Sequence, residues 1–260
     1  MYIKMLQHPD FDKFDLTSLK LGLIAAAPAP VSLIRNIMEQ IGIQVLIHGY
    51  GMTENSVGTS MTRPGDPPEI ISTTVGKPFP GAQVKVVDPD TGEDLPTGKQ
   101  GEICTKGRLI MKGYYKMPVE SAQLIDSKGW FHTGDLALID KNGNIKITGR
   151  LKDVFMPGGL NVSPEEVESV LFTHPKVKQA TVVGVPDPVM GEVGMAFLEL
   201  KEEKTATEKE MIEFCKDKMA NYKVPRYVRF VHEFPMTSTG KIQRFILRKQ
   251  AIEEMNLKQS

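Results

Sequence analysis

The stretch Ile145-Lys146-Ile147-Thr148-Gly149-Arg150-Leu151-Lys152-Asp153 decides how this chain is organised. Its first half alternates apolar and polar residues, as a half-buried strand does, and its second half is polar and charged. A strand therefore ends here, an arginine is presented at that end, and the chain can pivot. We predict a domain boundary at this point, with residues 1–150 in a larger α/β domain and residues 151–260 in a small α+β domain.

Length and composition set bounds on the function. The chain has 260 residues, 40% hydrophobic and 25% charged, which is ordinary for a soluble globular protein of about two domains. Its 32 basic residues balance its 32 acidic ones, so the net charge gives no support for a nucleic-acid or membrane-surface partner. The oligomeric state is left open.

The cysteines and the apolar runs indicate the compartment. Cys104 and Cys215 lie far apart and lack C-x-x-C spacing, so neither a disulfide framework nor a zinc site is expected, and a reducing compartment is the default. The longest apolar run, residues 21–30, is far shorter than the roughly 20 residues that span a bilayer. No signal peptide is visible at Met1. We expect an intracellular protein, cytoplasmic or in the mitochondrial matrix, without a transmembrane segment.

Residues 1–70 predict a βαβ unit. Residues 19–25 form an apolar strand that the prolines after it must end. A helix follows, because its apolar residues recur on one face: Leu33, Ile34, Ile37, Met38 and Ile41. Gly42 ends that helix, and residues 43–47 are suited to a buried parallel strand.

A candidate ligand site follows this second strand, in His48-Gly49-Tyr50-Gly51-Met52-Thr53-Glu54-Asn55. Open α/β sheets bind ligands beyond the carboxyl ends of their strands. Two glycines around Tyr50 permit a tight turn and a ring presented to a ligand, Thr53 offers a hydroxyl, and Glu54 offers a carboxylate for a hard cation such as magnesium. The alternative is a strand-to-loop turn with a packed tyrosine.

Residues 71–150 predict a small antiparallel β-barrel or meander, because short alternating segments are separated by turn residues. Within this region Gly113-Tyr114-Tyr115 could serve a ligand, but packing is favoured.

The dipeptide Asn142-Gly143 is a strong hairpin signal. With a two-residue turn, Asp140 faces Ile145 and Asp135 faces Arg150. Asp135 and Arg150 either form a cross-strand ion pair or bind a diol together. The sequence pattern does not distinguish the two.

The residues after Lys152 predict an α+β domain. Gly158-Gly159 is a flexible loop, and Ser163-Pro164-Glu165-Glu166 has the form of a capping box. Thr207 caps a second helix, and strands are predicted over residues 180–185, 194–200 and 227–231. A last helix is predicted over residues 242–255.

Lys241 follows Gly240 in a polar loop. The pair does not form a phosphate-binding P-loop, because Pro235 stands where that motif has glycine and Ile242 where it has a hydroxyl. An exposed lysine is most often simply solvated. On a movable domain it could instead stabilise an anionic transition state.

Five motifs in one order resemble the adenylate-forming acyl-CoA synthetase superfamily, closest to its short- and medium-chain fatty acyl-CoA synthetases. They are His48-Gly-Tyr-Gly-Met-Thr-Glu54, Gly129-Trp-Phe-His-Thr-Gly-Asp135, Gly149-Arg150-Leu-Lys-Asp153, Gly158-Gly-Leu-Asn-Val-Ser-Pro-Glu-Glu166 and Thr239-Gly-Lys241. The resemblance covers the whole chain and corresponds to the C-terminal half of the family. It implies part of the large AMP-binding domain, followed by a mobile C-terminal domain.

The resemblance also implies substrates and roles. Such enzymes activate a carboxylic acid with ATP and Mg²⁺ and pass the acyl group from AMP to coenzyme A. Tyr50 would stack on adenine near Ala27, and Asp135 and Arg150 would hold the ribose. Thr53 would bind the α-phosphate, Glu54 the magnesium, and Lys241 the carboxylate and α-phosphate. The remaining implied positions are Gly49, Gly51 and Ile147 at the nucleotide, Gly158 and Gly159 at the pantetheine tunnel, and Lys152 as the hinge.

One departure from the family concerns phosphate binding. The family's phosphate loop, [ST]-G-T-T-G-x-P-K, has no counterpart in these residues. This leaves three alternatives: an acyl-CoA synthetase of which this is the C-terminal half, a non-catalytic AMP- or CoA-binding product of the same scaffold, and an enzyme that adenylates an aryl or amino acid.

Overall fold

The structure, a computed structural model, describes residues 1–25, 29–56, 58–237 and 240–257. The chain forms two compact units, Met1–Ile147 and Thr148–Ser260. The division falls inside one strand, β8 (Ile145–Arg150), which is the strand predicted by the stretch quoted first. Ala27, expected near the adenine, lies outside the described residues.

The first unit begins with a mixed four-stranded sheet. Its strands are hydrogen-bonded in chain order: β1 (Leu21–Ala25), β2 (Val45–Tyr50), β3 (Ser60–Met61) and β4 (Lys77–Pro78). β1 and β2 are parallel, and each later strand is antiparallel to the one before it. The helices of this part are α1 (Tyr2–Leu6), α2 (Val31–Asn36) and α3 (Pro68–Thr73). The predicted βαβ unit is therefore present as β1, α2 and β2.

The apolar face predicted for α2 is buried. Ile34, Ile37 and Ile41 are each at most 2% exposed and pack under the sheet with Leu46. After Asn36 the helix continues as a π-helical turn, Ile37–Ile41. It ends, as predicted, at Gly42, whose φ of 81° is the left-handed conformation that glycine adopts without steric cost.

The second strand differs from its prediction in both bounds. It begins at Val45 and continues through Tyr50, because Gly49 pairs with Ala25 on one side and with Met61 on the other. His48 to Tyr50 are thus part of the sheet, and the turn predicted around them begins only at Gly51. A local pattern could not show this, since both pairing partners are distant in sequence.

Residues 83–150 form the meander that the sequence allowed. Its strands β5 (Gln83–Val87), β6 (Gly101–Lys106), β7 (Phe131–Ile139) and β8 are neighbours in that order. The helix α4 (Pro118–Leu124) lies between β6 and β7. Val75, Ile103, Ala137 and Ile145 form the buried core of this region.

The hairpin at Asn142-Gly143 has a three-residue loop rather than the two-residue turn we expected. The Gly143 N–H donates to the Asp140 carbonyl, and the Asp140 N–H donates to the Asn144 carbonyl; both N···O distances are 2.9 Å. Asp140 is therefore opposite Asn144 and not Ile145. The Asp140 carboxylate explains why the loop has three residues. It accepts hydrogen bonds from the N–H groups of Asn142 and Asn144 and so stabilises the longer loop.

The second unit is an α+β structure built on a three-stranded sheet. In order across the sheet its strands are β11 (Tyr227–Phe230), β10 (Gly191–Leu200) and β9 (Val177–Asp187). β9 and β10 form an antiparallel hairpin, and β10 and β11 are parallel. The helices are α5 (Pro164–Leu171), α6 (Glu208–Lys216) and α7 (Arg244–Glu254).

Both faces of this sheet are buried. Ala196 and Leu198 belong to the core that includes Val167 of α5 and Met211 of α6. Their neighbours on β10 point the other way, into a second core that includes Leu247 of α7. The alternation of side chains along a strand therefore places helices on both faces.

The helix α5 begins where predicted, but its cap is different. Ser163 does not accept an N–H of the first turn; its hydroxyl lies 2.6 Å from the Thr148 carbonyl and 2.7 Å from the Glu165 carboxylate. Gly149 permits this approach, because a Cβ there would lie 2.1 Å from the Ser163 hydroxyl oxygen. The cap predicted at Thr207 is present, since its hydroxyl accepts the Glu210 N–H.

No helix among the described residues is both long enough and apolar enough to cross a membrane.

Candidate functional site

Tyr50 and Asp135 meet in the first unit. Tyr50 ends β2, and its hydroxyl donates a 2.7 Å hydrogen bond to Asp135 Oδ2, although 85 positions separate the two residues. The Tyr50 ring packs on the core of the meander, as does Ile147 of β8. Tyr50 is thus packed, as the alternative interpretation held, and it also carries a polar contact.

Asp135 is a buried carboxylate, only 5% exposed. Burying a carboxylate is costly unless hydrogen-bond donors reach it, and Tyr50 supplies one. An ionised carboxylate offers about four lone-pair positions, so it can accept several donors at once. The arrangement is therefore suited to holding a diol.

Thr53 and Glu54 lie on a short 3-10 turn, Thr53–Asn55. Asn55 holds the turn in place: its side-chain oxygen accepts the Met52 N–H over 2.7 Å, and its amide donates to the Thr59 hydroxyl over 2.6 Å. The anchor is buried, whereas Thr53 is exposed and Glu54 is half-buried. The turn thus presents a hydroxyl and a carboxylate just after the strand that carries Gly49, with Gly51 exposed between them.

Tyr114 belongs to this group, and our sequence interpretation of it was wrong. We expected the Tyr114-Tyr115 pair to pack, yet Tyr114 is 37% exposed and Tyr115 is 85% exposed. The Tyr114 hydroxyl instead donates to Glu54 Oε1 over 2.7 Å, and this hydrogen bond raises the pKa of Tyr114. The available signal was the aromatic pair beside Gly113, but its contact with Glu54 spans 60 positions.

The other predicted site residues belong to the second unit. Arg150 and Lys152 are exposed, at the end of β8 and in the 3-10 turn Leu151–Asp153 respectively. Lys241 is exposed as well, and its backbone is held by Thr237, whose hydroxyl accepts the Lys241 N–H over 3.1 Å. The Thr237 N–H donates in turn to the Lys241 carbonyl over 2.8 Å. The side chain therefore extends from a closed loop.

Gly158 and Gly159 both have left-handed φ angles, 58° and 83°. The Gly158 N–H donates to the Met190 carbonyl over 2.8 Å, which fixes the loop against the β9–β10 hairpin. A cavity of about 300 Å³ adjoins the loop and is lined by Pro157, Met190, Tyr222 and Arg226 among others.

A cluster around Arg244 was not predicted from the sequence. Its guanidinium contacts three carboxylates: Asp153 at 3.0 Å, Glu165 at 2.8 Å and Glu168 at 2.9 Å. Burial raises the pKa of Glu168 to about 7 although Arg244 opposes that shift, and the carboxylates raise the pKa of Arg244. The cluster anchors Asp153, the residue directly after the candidate hinge, to α5 and α7.

Family models match two parts of the chain. The "AMP-binding enzyme" model matches residues 1–115, and the "AMP-binding enzyme C-terminal domain" model matches residues 166–241. A curated relative, the mitochondrial medium-chain acyl-CoA ligase ACSF2 of Danio rerio, is 44% identical over 257 residues, which are 99% of this chain and 42% of that protein. The chain thus spans less than half the length of this relative.

Solved structures of the same kind match nearly the whole chain. The anthranilate CoA ligase AuaEII, in complex with anthranoyl-AMP, has a TM-score of 0.85 and 37% identity over 98% of this chain and 49% of its own. ATP-bound MatB from Rhodopseudomonas palustris has a TM-score of 0.86 and 30% identity over 98% of this chain and 50% of its own. The predicted fold class, part of a large AMP-binding domain followed by a small α+β domain, is confirmed. The chain therefore belongs to the adenylate-forming family of AMP-binding enzymes.

Proposed function

We propose that this chain carries the nucleotide-binding and mobile-domain parts of an acyl-CoA synthetase that activates a short- or medium-chain fatty acid. The observation that carries the proposal is the Tyr50–Asp135 pair, a ring and a buried carboxylate joined at the end of β2. The ring offers a surface for adenine, and the carboxylate offers acceptors for the ribose hydroxyls. Similarity to an acyl-CoA ligase over 99% of the chain supports the reaction class.

The reaction has two steps. The substrate carboxylate attacks the α-phosphorus of ATP, and the bond to the β-phosphate breaks, which releases pyrophosphate and leaves acyl-AMP. The thiol of coenzyme A, after losing its proton, then attacks the acyl carbonyl, and AMP leaves as the thioester forms. Both steps place negative charge on oxygens at one centre, where a fixed cation or hydrogen-bond donor stabilises the transition state.

We propose the following roles in the first step. Asp135 and Arg150 hold the ribose, with Gly49, Gly51 and Ile147 beside the nucleotide. The Thr53 hydroxyl donates to the α-phosphate, and Lys241 neutralises charge between the carboxylate and that phosphate. The exposure of Thr53 and Lys241 supports these roles, since both can reach a ligand.

The residues present are suited to magnesium. Mg²⁺ prefers oxygen ligands and is commonly held by one or two carboxylates together with substrate phosphates. Glu54 offers such a carboxylate beside Thr53, oriented by the Tyr114 hydroxyl. The ion, when bound, neutralises phosphate charge.

For the second step we propose a rotation of the C-terminal domain, residues 151–260, about Lys152. Domain rotation about one or a few residues is a common way to exchange groups at a site. The anchored Asp153 supports Lys152 as the pivot, because the chain just after it is held by Arg244. The Gly158-Gly159 loop would then line the path of pantetheine, and a cavity of about 300 Å³ adjoins that loop.

A non-catalytic AMP- or CoA-binding protein is the second candidate, since the Tyr50–Asp135 pair needs no catalysis to bind AMP. Adenylation of an aryl or amino acid is the third candidate, since an anthranilate CoA ligase is 37% identical. The test compares this chain with a chimeric enzyme, called the joined enzyme below. In the joined enzyme this chain replaces the matching part of the Danio rerio relative. Both are assayed for ATP–pyrophosphate exchange with fatty, aryl and amino acids.

We expect AMP binding by this chain alone and fatty-acid-dependent exchange by the joined enzyme. Robust exchange by the chain alone would exclude the non-catalytic candidate. Exchange that depends on aryl or amino acids would move the proposal to that substrate class. A joined enzyme that is folded, binds AMP and exchanges with no acid would overturn the proposed activity.

The contact between Tyr114 and Glu54 gives a separate prediction. Tyr114→Phe removes the donor that orients the Glu54 carboxylate, and loss of such an outer partner typically lowers metal affinity by about tenfold or more. We expect a rise of about tenfold in the Mg²⁺ concentration needed for half-maximal ATP binding by the joined enzyme. Tyr115→Phe, on the exposed neighbour, is the control. Equal Mg²⁺ dependence in the two variants would remove Tyr114 from the site.

A further inference from the structure

The ladder between β6 and β7 is interrupted just before Asp135. Glu102 pairs with Leu136 and Cys104 pairs with His132. Ile103 alone on β6 therefore faces residues 133–135 on β7. Such a bulge turns side chains away from the regular ladder and is often found beside active sites.

Side chains make the hydrogen bonds that the ladder cannot make there. Glu102 Oε1 accepts the Gly134 N–H over 2.9 Å, and the Thr133 hydroxyl donates to the Ile103 carbonyl over 2.7 Å. The Asp135 N–H donates to that same hydroxyl over 3.1 Å. Gly134 itself has a left-handed φ of 70°, which glycine adopts readily. The backbone that presents Asp135 is thus held by Glu102 and Thr133.

Glu102 is built into the sheet. It is 7% exposed, and its second carboxylate oxygen, Oε2, lies 2.7 Å from His132 Nδ1. The carboxylate therefore makes hydrogen-bond contacts with both His132 and Gly134, the two neighbours of Thr133 in the chain. Burial and the negative charge of Glu102 raise the pKa of the neighbouring Cys104 thiol to about 12.

Glu102, Cys104 and His132 also have the composition of a metal site, with ligand atoms within 4.8 Å of one another. One distance favours a hydrogen-bonded cluster. The Oε2–Nδ1 distance of 2.7 Å is that of a hydrogen bond, whereas tetrahedral zinc with bonds of about 2.1 Å would hold those atoms roughly 3.4 Å apart.

We propose that Glu102 is a positioning residue for the nucleotide: it holds the bulge at residues 133–135 so that Asp135 can accept the ribose hydroxyls. The inference rests on the proposed function, since it concerns how Asp135 meets a ribose. Glu102 itself does not contact the nucleotide. Its loss should therefore weaken only the part of binding that depends on those hydroxyls.

The test measures the binding of AMP and of 2′,3′-dideoxy-AMP to the 260-residue chain by calorimetry. We expect Glu102→Ala to weaken AMP binding about tenfold, the equivalent of about 1.4 kcal/mol. Binding of the dideoxy nucleotide should change by less than about twofold, because that nucleotide lacks the two ribose hydroxyls that donate to Asp135. Glu102→Gln keeps an acceptor for the Gly134 N–H and should restore most of the affinity for AMP. Asp135→Ala should show the same selective loss as Glu102→Ala.

Controls separate positioning from folding. Glu93→Ala, at an exposed glutamate of the same unit, should change neither affinity. If Glu102→Ala unfolds, Thr133→Val tests the same bulge from its other anchor and should show the same selective loss. Equal loss for both nucleotides in a folded variant, or no loss at all, would overturn the proposal. Wild-type protein that binds both nucleotides equally would instead contradict the proposed ribose contact.

Discussion

Lys241→Ala in the joined enzyme is expected to slow ATP–pyrophosphate exchange by about 100- to 1,000-fold, the usual effect of removing one donor from a developing oxyanion. The exposed lysine extends from a loop whose backbone is closed by Thr237. Its backbone is therefore held in place while its side chain stays exposed. The measurement is exchange at saturating ATP and fatty acid.

The same variant distinguishes the two half-reactions. Supplied with acyl-AMP and coenzyme A, Lys241→Ala should form thioester at a rate close to that of the unaltered enzyme. Lys249→Ala, at an exposed lysine of α7, serves as the control and should leave both rates unchanged. Equal losses in both half-reactions would refute the role assigned to Lys241.

Arg244→Ala should destabilise the second unit by about 3 kcal/mol, because removing one partner of a buried ion pair leaves the other charge uncompensated. Glu168, whose side chain is 10% exposed, would keep only the Val182 N–H among its described partners. We place the loss at the low end of the usual 3–5 kcal/mol, since the Arg244 side chain is 25% exposed. Urea unfolding of the 260-residue chain, followed by circular dichroism, measures it.

Two reference measurements accompany this variant. Arg229→Ala breaks an exposed pair with Glu254 and should cost less than about 1 kcal/mol. The fluorescence of Trp130, the chain's single tryptophan, reports on the first unit and should change little. A loss for Arg244→Ala no larger than that for Arg229→Ala would contradict the prediction.

The effect of Arg244→Ala should also depend on pH. Burial raises the pKa of folded Glu168 from 4.5 to about 7, so stability from this group is present below pH 4.5 and is lost as the pH rises through 7. Removing Arg244, which lowers that pKa, makes ionisation of Glu168 still less favourable. The destabilisation should therefore be smaller at pH 5 than at pH 8. In a Glu168→Gln background this difference should disappear.

Local elements followed from the sequence alone. The apolar face of α2, its end at Gly42 and the start of α5 depend on side-chain spacing and backbone preferences within a few residues. The five motifs, read in order, identified the family, since a motif needs only residue types at fixed positions. These features are encoded locally and remain readable without the fold.

Contacts between distant residues were decided only by the tertiary structure. Asp135 and Glu54 were recognised as candidate ligands, but Tyr50 and Tyr114, their hydrogen-bonding partners, lie 85 and 60 positions away. The β6–β7 bulge is equally invisible in either strand, because it arises from how two strands pair. The sequence by itself determined which side chains are available and which short elements carry them. Strand pairing and packing decided which of those side chains meet, because distance along the chain does not determine distance in space.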